Sequence, residues 1–170
     1  ADPTAGNRLY RRAIQGRHLD GIIIASNLVD DPIVAQLQVD AFPFVLVGRH
    51  PHREVNFVDV DNRSAARDAV AHLLDHGYRR VAVITGPANM IGAIDRYAGY
   101  VTALSEAGIM PEPDLAVHTD FTRRGGYRAM QSLLDRASGP PDAVFATSDT
   151  MASGALQALR DAGRRVPEDV

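Results

Sequence analysis

An α/β fold built from doubly wound parallel sheets is what this sequence predicts, on two observations. Short apolar runs rich in β-branched residues recur along the chain, and several lack the polar alternation of a strand with one wet face. Between them lie amphipathic stretches with helix start and stop signals, so strand and helix alternate as a parallel sheet with crossover helices requires.

The strand runs, in order, are Gly21–Ala25, Phe44–Val47, Val81–Thr85, Leu115–His118 and Ala143–Thr147. Phe57–Val60 alternates and suits an edge. A first helix begins at Asp31-Pro32, a capping carboxylate before a proline at the first helical position. A second has Asn62 as its expected cap, an apolar stripe of Ala65, Ala66, Ala69, Val70, Leu73 and Leu74, and Gly77 as its stop. A third is expected over about Arg96 to Ala107 and a fourth over about Arg124 to Arg136. The last starts at Asp149, buries Met151, Ala152, Ala155, Leu156 and Leu159, and stops at Gly163. The seam between two lobes is placed at Gly77-Tyr78, giving 1–77 and 78–170.

Composition narrows the function. The 170 residues are 45% hydrophobic and 23% charged, ordinary values for a globular protein with a core. A net charge of -3, with scattered arginines, argues against this stretch gripping nucleic acid by itself, since phosphate neutralisation supplies much of that affinity. No cysteine is present, which excludes disulfides and cysteine-bound metals and fits a cytoplasmic setting. No apolar run approaches the roughly 18 residues of a membrane span.

Motifs for catalysis are absent. There is no Gly-x-Gly-x-x-Gly after a strand, no Gly-Lys-Ser/Thr loop and no Gly-x-Ser-x-Gly elbow. His50-Pro51-His52 reads as a surface turn. His72 and His76 share a helical spacing but lack the glutamate of a zinc motif, so no metal, cofactor or enzymatic activity is expected.

What remains is a set of polar and aromatic residues just beyond strand ends, where open α/β sheets bind ligands. They are Ser26, Asn27, Arg96, Phe121, Ser148 and Asp149. Hydroxyls, an amide, one guanidinium, one carboxylate and one ring suit a sugar, a polyol or a similar small polar metabolite. Other readings stay open beside this one. Ser148 and Asp149 could simply cap the last helix, Asn27 could be a turn residue, and Phe121 could be packing. Arg96, expected at a helix start, opposes the helix dipole there and so favours a ligand contact.

These positions also carry a resemblance. Asp20–Ile24, Phe42–Arg49, Val58–Asn62, His72–Ile84, Gly86-Pro87, Arg96–Tyr100, Asp120–Thr122, Ser148–Ala155 and Val166–Val170 together resemble the effector-binding part of LacI/GalR transcription regulators. The resemblance implies two lobes of the periplasmic-binding-protein-like type, incomplete at both ends of this chain, with a small effector between them. It also implies a homodimer, repressor activity, and operator DNA held by a helix-turn-helix head that this sequence lacks. Under it, Arg96 matches an effector-binding arginine, Phe121 a cleft aromatic, Ser148 and Asp149 a polar pair, and Ser26 and Asn27 a first-lobe loop. A sugar-binding protein of an ABC transporter has the same fold and is the alternative.

Overall fold

The computed structural model describes residues 19–25 and 28–170, which divide into two compact units between Val60 and Asp61. In the first, β1 (Ile22–Ile24), β2 (Phe44–Val47) and β3 (Phe57–Val58) form a parallel sheet in that order, with β3 at the edge. The crossover from β1 to β2 contains α1 (Pro32–Val39), capped by Asp31, whose carboxylate accepts from the Ile33 N–H at 2.9 Å. Val34 and Leu37 are buried on the helix, as is Leu46 on β2. Ile23, Val47 and Val58 remain exposed.

The second unit holds the larger core. Its sheet runs β5-β4-β6, all parallel, from β4 (Val81–Thr85), β5 (Ala116–His118) and β6 (Ala143–Ala146). Every residue of β4 is buried, and the period-2 alternation of a strand divides them between two cores. Val81 and Val83 join Val70 and Leu74 of α2 (Asn62–Asp75) and Tyr100 and Leu104 of α3 (Ile91–Glu106). Ala82 and Ile84 join Met130 and Leu133 of α4 (Arg123–Leu134) and Met151 and Leu159 of α5 (Asp149–Asp161). Burial on both faces explains why this strand has no polar position.

Each helix pair touches through glycine. A Cβ on Gly99 of α3 would collide with the Arg63 carbonyl of α2, and one on Gly154 of α5 with the Arg123 carbonyl of α4. The missing side chains let the backbones approach, and Gly126 does the same against Met151. Inside the first core the Tyr100 hydroxyl donates to the Val81 carbonyl at 2.8 Å, joining α3 to β4.

The structure moves several boundaries. Asp61, not Asn62, caps α2, its carboxylate accepting from the Ser64 N–H at 2.9 Å. The α2 stripe is narrower than expected: Asn62, Ala66, Val70 and Leu74 are buried, whereas Ala65 and Ala69 are exposed. On α5 Leu156 is also partly open. The third helix starts five residues before Arg96, and Leu115 belongs to a short 3-10 turn, Pro113–Leu115, rather than to β5. The sequence expects the seam at Gly77-Tyr78, whereas the compact units divide at Val60-Asp61, with α2 packed on α3 and β4.

Two stability outcomes follow from this packing. Gly154→Ala should lower stability by about 2 kcal/mol in denaturant unfolding, because the clash is with backbone that has no rotamer escape. Helix propensity alone predicts the opposite sign, a gain of about 1 kcal/mol. For Tyr100, burial pushes the phenol pKa up to about 12. A neutral phenol is therefore favoured in the folded state, so its contribution is intact below about pH 10 and is lost as pH rises towards 12. Thermal unfolding across that window should show a steep loss of stability that Tyr100→Phe reduces.

Candidate functional site

Parallel strands bring their carboxyl ends to one edge of a sheet, and the second unit adds polar groups there. The ladder continues past the strands: Thr147 N–H donates to the Ile84 carbonyl and Thr119 N–H to the Thr85 carbonyl, both at 2.9 Å. These bonds fix the backbone leading into the segments 147–149 and 119–121.

Beside the end of β6 lies a hollow of about 220 Å³, lined by Asn62, Ala65 and Ala66 of α2, Arg96 of α3, and Phe145 to Asp149. Arg96 is half-buried, and its guanidinium is held on two sides. Nε donates to the Asn62 Oδ1 at 2.8 Å and Nη1 to the Thr147 carbonyl at 2.9 Å. Nη2 makes no hydrogen bond among the described residues. The Asp149 side chain is exposed and likewise forms no hydrogen bond or ion pair among them. A donor with a free end and an acceptor with free lone pairs thus share one hollow. Their charges cancel, so the hollow suits a neutral ligand offering hydroxyls better than a strong anion.

A third polar group is present and unused. The Thr147 hydroxyl is buried with no partner among the described residues, although desolvating a hydroxyl without a hydrogen bond is unfavourable. Ser148, by contrast, is occupied: its hydroxyl accepts from the Met151 N–H at 3.3 Å and caps α5. Asp149 is the first helical residue, where a carboxylate is favourable to the helix dipole, but it makes no cap bond.

Arg96, Ser148 and Asp149 therefore meet in one hollow, and Phe121 does not line it. Phe121 stands at the same sheet edge, its ring lying on the bare Cα of Gly86 at the end of β4, where a Cβ would collide with it. Ser26 and Asn27 lie outside the described residues. The dipole argument for Arg96 does not survive, since the residue sits in the second turn of α3 rather than at its start. Burial between Asn62 and Thr147 fixes it instead.

Sequence reasoning missed three contributors: Asn62 as a partner of Arg96, the Thr147 hydroxyl, and the Phe145 wall. Position alone gave a signal for Thr147, the last residue of an apolar run; nothing in the sequence pairs Asn62 with Arg96.

Two further hollows fit ligand recognition less well. One of about 610 Å³ in the first unit, near Phe42, Arg53 and Asn56, lies at the amino ends of β2 and β3. The other, along Leu73, Val144, Leu156 and Val170, is walled mainly by apolar side chains. Among the described residues no group of three or more His, Asp or Glu could hold a metal ion, and no helix is long and apolar enough to cross a membrane.

Two parallel sheets, the second covered on both faces and bearing polar groups at its strand ends, fit the periplasmic-binding-protein class. The chain belongs to the family described as periplasmic binding proteins and sugar-binding domain of the LacI family, whose model matches residues 4–170. Among curated relatives, the HTH-type transcriptional regulator CelR of Thermobifida fusca is 43% identical over 160 residues, covering 92% of this chain and 47% of CelR. The HTH-type transcriptional repressor CytR of Escherichia coli K12 is 38% identical over 155 residues, covering 91% and 45%. The chain thus spans about half the length of these relatives. Of solved structures, a CelR–cellobiose complex matches with a TM-score of 0.89 and 42% identity, over 96% of this chain and 50% of that one. A LacI-family regulator from Mycobacterium smegmatis gives 0.88 and 32%, over 99% and 62%. These relatives are regulators rather than enzymes, and they disfavour the transporter alternative.

Thr147→Val tests the unused hydroxyl. Replacing it by a methyl of similar shape removes a desolvated polar group, so stability should rise by about 1 kcal/mol. A small-molecule affinity that falls in the same variant would show that a ligand satisfies the hydroxyl.

Proposed function

We propose that this chain is the effector-sensing part of a LacI-type transcription repressor, responding to a small neutral polar ligand, a sugar. The carrying observation is the Arg96–Asp149 hollow, with a donor edge and an acceptor edge that neither an ion pair nor a cap consumes among the described residues. A vicinal diol is the simplest group that answers both, one hydroxyl accepting from Nη2 and its neighbour donating to the carboxylate. At about 220 Å³ the hollow is smaller than the roughly 300 Å³ at which drug-sized sites begin, so it serves as one subsite and further contacts come from beyond it. Phe121 offers a ring for the C–H face of a sugar, and Ser26 and Asn27 are proposed as polar contacts from the first lobe.

The complex of CelR with cellobiose makes that disaccharide the first candidate. On this reading the protein acts in the cytoplasm as a homodimer, binds operator DNA through a helix-turn-helix head outside this sequence, and turns nothing over. The effector acts by binding one arrangement of the protein more tightly than another, since equal affinity for both would shift nothing.

Thermal unfolding of the intact protein with and without cellobiose is the test. A ligand selective for the folded state stabilises it by about 2.7 kcal/mol at a hundred times its Kd. Arg96→Ala should remove most of the shift and weaken binding at least about tenfold, the cost of one hydrogen bond to a charged group. Unchanged affinity in Arg96→Ala would move the site away from this hollow. If cellobiose and other neutral sugars give no shift while a phosphate ester or a nucleoside does, the sugar reading is wrong.

A further inference from the structure

Arg96 can present its free end only if something holds the rest of a long, rotatable side chain. We propose that Asn62 is the positioning residue that holds it, and that the close approach of α2 and α3 at Gly99 brings the two together. The proposal rests on the ligand reading above, but it can be tested apart from it.

Three observations on independent atoms converge. Asn62 is the first residue of α2 and is buried, although an amide in the first turn of a helix commonly faces water. Its Oδ1 is spent on the Arg96 Nε at 2.8 Å rather than on the helix cap, which Asp61 supplies. Gly99, three residues beyond Arg96 on the same helix face, lies against the Arg63 carbonyl and the Ala66 Cβ, leaving no room for a Cβ of its own. That contact sets the α2–α3 spacing one turn from the Asn62–Arg96 bond.

The partner's chemistry matters as well. An amide oxygen fixes Nε without bringing a charge, so the guanidinium keeps its full charge for the ligand and for Asp149. With Nε taken by Asn62 and Nη1 by the Thr147 carbonyl, the side-on fork of Nε with Nη2 is closed to the ligand. Nη2, with neither hydrogen committed among the described residues, projects as the main recognition point. Loss of the side-on fork removes one of the two bidentate modes by which an arginine grips a carboxylate or phosphate.

The test uses the intact protein and two readouts. In nitrogen-15 NMR the Arg96 Nε–H, assigned by its loss in Arg96→Lys, should exchange with water more slowly than the Nε–H groups of exposed arginines. Asn62→Ala should abolish that protection, and Asn62→Asp, which keeps an acceptor at the same reach, should retain it. Neither measurement needs a ligand. In the second readout, titration with cellobiose, Asn62→Ala should weaken binding about tenfold and Asn62→Asp about threefold or less. In an Arg96→Lys background Asn62→Ala should add little, because the residue acts through the arginine.

An Nε–H that exchanges rapidly in the unaltered protein overturns the proposal, and this needs no variant to fold. Undiminished protection in Asn62→Ala overturns it too. If the Nε–H results hold while cellobiose does not bind the unaltered protein, the sugar reading fails and the positioning role stands.

Discussion

A strand with no wet face governs the second unit. Once all five residues of β4 are buried, both faces of the sheet must be covered, and the sequence supplies one pair of helices for each. Crossovers of this kind keep the strands parallel, so β4, β5 and β6 end at the same edge. The polar residues are therefore gathered by the topology of a hydrophobic core. The candidate site lies where apolar chain gives out: Thr85 before Gly86, Ala146 before Thr147.

The same packing sets how finely the site is held. Glycine contacts bring each helix pair to backbone distance, and such contacts leave little slack for a side chain one turn away. The Arg96 guanidinium is held from two directions, by α2 through Asn62 and by the β6 end through Thr147. A ligand meeting this arginine encounters a group already oriented, which limits the ordering entropy that binding must overcome. The Thr147 hydroxyl, without a partner among the described residues, is the opposite case, a buried polar atom left unsatisfied by them.

Much of the fold was legible because its signals are local. β4 announced itself by length and β-branched content, α1 by Asp31-Pro32, and α5 by Ser148 and Asp149 followed by an apolar face. What failed needed tertiary knowledge. The sequence assigns upstream strands to one sheet and downstream strands to a second, with the seam near Gly77, whereas the grouping of α2 depends on its contacts with α3 and β4. The start of α3 carries no local signal because its cap position is Met90, whose side chain makes no cap bond. The six site residues split in the same way. Arg96, Ser148 and Asp149 share a hollow, Phe121 stands elsewhere on that edge, and Ser148 spends its hydroxyl as a cap.

Asn62 shows why a partner is harder to read than a site. Two capping residues stand side by side at the start of α2, and only one hydroxyl or carboxyl acceptor is needed there. Local rules make Asp61 and Asn62 interchangeable for that task, and in the structure Asp61 performs it. Asn62 turns inwards instead, 34 positions away in sequence from the arginine it meets. Redundancy at a helix cap, judged locally, is a neutral feature. Judged with the fold, it marks a polar side chain that the cap does not use, and here that side chain is buried and accepts from the Arg96 Nε.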